Sequence, residues 1–165
     1  MKKIISICVV MQMASLTFAQ EVEVPQYYVM KTGEDYARYE EDMLRCFNWL
    51  MSAPVDQQLE KRMDAGAFIS KWVSGAPNVS IEIREEIVTF ADVNVDLPLI
   101  FIGGWAKYEL ESKDTSRVNC NLKGIDHVIE FYTRNKAKLQ KDKSVEKYIK
   151  MKENGTIKAF VQKNL

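Results

Sequence analysis

The stretch Asp96-Leu-Pro-Leu-Ile-Phe-Ile-Gly-Gly-Trp-Ala-Lys-Tyr-Glu-Leu-Glu111 decides the fold. Its first half admits a strand over Leu97 to Ile102 with a turn at Gly103-Gly104. The helical reading is stronger. Asp96 is a good helix cap and Pro98 suits a first helical turn, where no backbone donor is needed. Leu97, Phe101, Trp105 and Tyr108 fall on one stripe at helical spacing. The amino-terminal half is apolar all round, as expected of a helix buried between others. Each glycine costs about 1 kcal/mol relative to alanine in a helix interior. Close approach of another helix backbone to that bare surface would offset the loss.

Outward from this segment the helical pattern continues. Thr32 offers an N-cap with Asp35 at the capping-box position. From there Tyr36, Tyr39, Met43, Phe47 and Leu50 recur at helical spacing until Pro54. Asp56 can cap a second helix with Leu59, Met63, Ala67, Phe68, Ile69, Trp72 and Val73 inward, ended by Gly75-Ala-Pro77. Residues 78–95 fit either periodicity and are read as a short extended entry followed by a helix. After a polar loop at 112–121, a helix over about Leu122 to Leu139 places Ile125, Val128, Ile129 and Tyr132 inward. Another over Ser144 to Asn154 uses Val145, Tyr148 and Ile149. Asn154-Gly155 ends it, and Thr156 caps a last short helix. The expectation is a single all-α domain of about six or seven packed helices.

The amino terminus carries a different signal. Lys2 and Lys3 precede an apolar run from Ile4 to Phe18, and Thr17-Phe18-Ala19 at its end reads as a small-x-small cleavage site. The run is shorter than the roughly 20 apolar residues of a membrane span. Residues 1–19 are thus expected to be a signal peptide, 20–31 an extended lead-in kept from helix formation by Pro25, and 32–165 the helical domain. Export to the periplasm, cell surface or medium removes nucleic acid from the expected partners. Cys46 and Cys120 would remain as an even pair, able either to bridge in an oxidising compartment or to be buried free thiols.

Charge divides unevenly along the chain. Residues 20–122 hold 10 basic and 18 acidic side chains, whereas residues 123–165 hold 11 basic and 5 acidic ones. A basic carboxy-terminal face can meet an anionic partner such as an acidic polysaccharide or a lipid headgroup layer. Lysines on solvated helix faces are the simpler reading.

Signatures of catalysis are sparse. His127, the sole histidine, lies beside Asp126 and Glu130, but a metal site needs more ligands than this one cluster supplies. Glu82, Glu85, Glu86, Glu109 and Glu111 could furnish the paired carboxyl groups of a glycosidic hydrolase, though no spacing singles out a pair. No nucleophile elbow, phosphate loop or metal motif occurs, and no cofactor is expected. Trp72, Trp105, Tyr108 and Tyr132 are candidates for lining a peptide or glycan groove, against the alternative of core packing.

The runs Trp72-Val-Ser-Gly75-Ala-Pro77, Gly103-Gly-Trp-Ala-Lys-Tyr108-Glu-Leu-Glu111, Gly124 to Tyr132 and Lys147-Tyr148 before Asn154-Gly155 resemble a family of small exported proteins of Bacteroidetes-type bacteria. That family has no assigned activity. The resemblance implies a Gram-negative envelope location and a helix over 96–112, and brings no catalytic residues. A non-enzymatic envelope binding or accessory protein, with a protein or glycan partner, is the leading expectation. A hydrolase of an envelope or extracellular polymer and a structural partner subunit are the alternatives.

Overall fold

The computed structural model describes residues 21–90 and 93–165. The expected signal peptide lies outside them. Among the described residues there are seven helices and no strand: α1 (Gly33–Arg38), α2 (Glu40–Ser52), α3 (Leu59–Val73), α4 (Asp96–Ser112), α5 (Arg117–Asn135), α6 (Lys143–Glu153) and α7 (Ile157–Lys163). No helix among them is long and apolar enough to cross a membrane.

The contested segment is the central helix. α4 packs against α2, α3 and α5, with its largest interface on α5. Leu97, Ile100, Phe101, Trp105 and Ala106 have no exposed surface. The two glycines answer to close packing, but by side chains rather than a helix backbone. A Cβ on Gly103 would collide with the Phe47 ring, and one on Gly104 would lie 2.6 Å from His127 Nδ1. Backbone approach occurs on the facing helix, where a Cβ on Gly124 would sit 3.0 Å from the Phe101 carbonyl oxygen.

Several local expectations are corrected. The capping box at Thr32 and Asp35 forms, yet the first helix is broken at Tyr39 into α1 and α2. The break accompanies edge-on contacts of Tyr39 with Tyr28 and Phe68. Asp56 does not cap α3; it pairs with Lys138 at 2.5 Å, and Gln58 precedes the helix in a left-handed conformation. The buried face of α3 is rotated from the expected one. Arg62, Ala65, Phe68, Ile69 and Trp72 turn inward, while Leu59, Met63 and Ala67 are exposed. Arg62 replaces Met63 because it can reach the Ala53 carbonyl at 3.3 Å and Asp96 at 3.7 Å while lying over the Phe131 ring. α5 begins inside the expected loop, capped by Ser116, and ends at Asn135.

The largest departure is the segment 78–90, which is neither strand nor helix. A single turn at Arg84 to Val88 buries Ile87, and Phe90 follows it into the core. Side chains from elsewhere tie this segment down. Glu109 Oε2 accepts from the Ser80 amide at 3.0 Å, Tyr148 donates to the Ile87 carbonyl at 2.6 Å, and Ser144 donates to the Thr89 carbonyl at 3.1 Å. These contacts reward an irregular path over a helix. Ahead of α1, Val22, Val24 and Met30 are buried and Tyr27 takes a left-handed backbone conformation.

Candidate functional site

The four aromatic candidates do not form a groove. Trp72, Trp105 and Tyr132 are fully buried and Tyr108 is half-buried. Their polar atoms find partners inside the fold, as buried tryptophan and tyrosine require. Trp72 Nε1 donates to the Tyr36 carbonyl at 2.9 Å, and Trp105 Nε1 to Glu109 Oε1 at 2.9 Å. Tyr132 donates to Glu146 at 3.1 Å and accepts from the Asp142 amide at 3.2 Å. Tyr108 donates to Asp114 at 2.6 Å, which holds the tyrosine above and the aspartate below its usual titration range.

The carboxyl groups are dispersed as well. Glu109 is buried, and its two oxygens accept from Trp105, Ser80 and the Cys120 thiol. Glu82 lies between Arg84 and Arg117, Glu111 pairs with Lys107, and Glu85 and Glu86 are exposed. Paired acid and base chemistry needs two carboxyl groups facing one cleft; Glu109 instead closes a knot between α4, α5 and the 78–90 segment.

Cys46 and Cys120 are free and buried rather than bridged. Burial pushes the Cys46 thiol up to about 11. Burial, with Glu109 close by, pushes Cys120 up to about 12. Such thiols are poor nucleophiles, since the thiolate is the reactive form.

His127 lies half-buried on α5, edge-on to Phe47 and seated over Gly104, with Nδ1 2.8 Å from the Lys123 carbonyl oxygen. Its acidic neighbours turn to cations: Asp126 to Lys152 at 2.6 Å, Glu130 to Arg134 at 2.8 Å. Among the described residues, no three histidine, cysteine or carboxylate side chains converge on a metal position.

What remains is the basic carboxy-terminal surface. On α6, Val145 and Tyr148 face the core and Lys152 faces α5 through Asp126. Lys143, Lys147 and Lys150 lie on the opposite side and are exposed. Lys141 in the preceding loop and Lys158 and Lys163 on α7 are exposed too. None of the six has a carboxylate partner among the described residues, whereas Lys136, Lys138 and Lys152 do. Lys136 shows what pairing does. Glu146 beside it raises the lysine, and Lys136 and Tyr132 together lower the glutamate.

Sequence reasoning identified the basic half but not these residues. The signal was present in the spacing of Lys143, Lys147 and Lys150, which is complementary to that of Val145, Tyr148 and Ile149. No family model, curated protein or solved structure matches the chain.

Proposed function

We propose that this chain is an exported, non-enzymatic binding or accessory protein of a bacterial envelope, belonging with the small exported family it resembles. Its α6–α7 surface meets an anionic partner there. One observation carries the reading: six exposed lysines on and around α6 and α7 form no ion pair among the described residues, while the other cations of residues 134–152 are paired. Concentrated uncompensated charge of one sign raises the local concentration of opposite charge and accelerates encounter. The interior supports this choice, since Trp72, Trp105, Tyr132, His127 and Glu109 are engaged in packing and hydrogen bonding.

The test replaces Lys141, Lys143, Lys147, Lys150, Lys158 and Lys163 together by glutamine. Retention is measured on immobilised heparin and on phosphatidylglycerol–phosphatidylcholine vesicles at low salt. The unmodified mature protein is expected to bind at least one of the two in a salt-sensitive manner, and the variant neither. Absence of binding by the unmodified protein, or equal retention of both proteins, would refute the proposal.

A further inference from the structure

Within the α6–α7 surface, on whose role as the binding face this assignment rests, three lysines point to a ligand class. Lys143, Lys147 and Lys150 stand at i, i+4 and i+7 on α6. At 100° per residue they span about 60° of the helix circumference, and at 1.5 Å per residue about 10 Å of its length. They therefore form one row parallel to the helix axis.

Three features define what the row can take. Its carboxylate flank is narrow: Glu146 and Glu153, also seven residues apart, run alongside it, the first paired to Lys136 and the second exposed. A broad anionic plane laid on the row would press against that flank, whereas a single chain would not. The helix amino terminus is already satisfied, because Asp142 Oδ1 accepts from the Ser144 and Val145 amides at 2.9 and 3.1 Å. An anion is therefore directed to the lysines and not to the helix end. Finally, the exposed large apolar residues among those described all lie between Tyr27 and Val95, so α6 and α7 offer no wedge for an acyl layer. Interfacial helices that lie in a bilayer combine a basic face with a large exposed apolar one.

The middle of the row is also held in place. Lys147 Nζ lies 5.2 Å from the centre of the Phe160 ring, and that ring packs on Tyr148. The cation–π contact limits the freedom Lys147 would lose on binding.

We infer that Lys143, Lys147 and Lys150 form a linear track for an acidic polysaccharide, a polymer bearing regularly spaced carboxylate or sulfate groups, and that a membrane surface is not its principal ligand. Association releases counter-ions from the polymer, so each neutralised charge adds to the salt dependence.

Two glutamine variants that remove equal charge test this. K143Q/K147Q/K150Q removes the row, and K141Q/K158Q/K163Q removes three exposed lysines outside it. Dissociation constants for heparin are measured from 50 to 300 mM salt, with vesicle binding in parallel and circular dichroism to confirm the fold. The row variant should bind heparin at least about tenfold more weakly, with its salt slope reduced by about three. The off-row variant keeps the row but also loses charge from the binding surface, so it should weaken binding by a clearly smaller factor, about threefold. Equal losses in the two variants would overturn the track while leaving a basic binding surface standing. Stronger binding to anionic vesicles than to heparin would overturn the polysaccharide assignment in favour of a membrane. Failure of both unmodified-protein interactions would remove the underlying proposal as well.

Discussion

α4 and α6 are helices of the same fold with opposite fates for their polar groups. In α4, the residues that look chemically interesting are consumed by the structure. Trp105 and Glu109 hydrogen-bond to each other, and the two glycines are pressed by Phe47 and His127. In α6, the residues that look ordinary are left over. Its lysine row faces solvent and forms no ion pair among the described residues. Chemical suggestiveness in a sequence is thus a poor guide when tertiary packing can absorb the same groups. Substitutions inside should therefore move stability and leave binding alone, and substitutions on the row should do the reverse.

The largest interior effect is expected at the glycine seam. Gly103→Ala places a methyl where the fully buried Phe47 ring already lies. Overpacking costs about 1–3 kcal/mol, and this site should fall at the upper end, read as a lower denaturant midpoint. A loss below about 1 kcal/mol would show that the seam is looser than the geometry implies.

Glu109→Ala should follow, at about 2–3 kcal/mol, because it strands the Trp105 indole N–H and the Ser80 amide without acceptors. Glu109→Gln, which keeps an acceptor oxygen, should lose less. Hydrogen exchange should show the 78–90 segment opening first in the alanine variant. Uniform loss of protection across the fold would count against Glu109 as its local fastener.

A smaller effect concerns the thiols. Their folded values of about 11 and 12 lie above the ordinary 9.0. A raised thiol favours its protonated form in the folded state. The stability this contributes is complete below about pH 9 and is lost as the pH climbs through the folded values. Cys46 and Cys120 should resist alkylation at about pH 8 until denaturant is added, and stability should decline above about pH 9. Rapid labelling of the native protein would contradict their burial.

The contrast between the two helices also explains how far the residues alone could be read. α4 was legible because Pro98 in the first turn and the all-round apolar face are local signals that burial reinforces, although Asp96 is the first helical residue and pairs with Arg62 rather than capping the helix. α6 and α7 were legible for the same reason, through Asn154-Gly155 and the Val145, Tyr148, Ile149 pattern. Segment 78–90 was not, because its path is set by Glu109, Ser144 and Tyr148, which are 29, 55 and 61 residues away from their respective partners. The inward face of α3 was misjudged for a related reason. Arg62 is buried through partners on α4 and in the loop after α2, which hydropathy along α3 does not register. From spacing alone the groove and core readings of the aromatic candidates both stay open, because helical spacing places a tryptophan on a face without saying whether that face is covered. The lysine row was readable in spacing, but which lysines lacked partners depended on the positions of Asp56, Asp126 and Glu146.

The central claim is that binding capacity resides on the exterior of α6 and not in the polar interior. The most direct test measures urea midpoint and heparin elution salt on the same two variants, E109A and K143Q/K147Q/K150Q. The first should lose midpoint and elute with the unmodified protein. The second should keep its stability within about 0.5 kcal/mol and elute at clearly lower salt. A folded E109A that no longer binds, or a row variant that elutes unchanged, would contradict the claim.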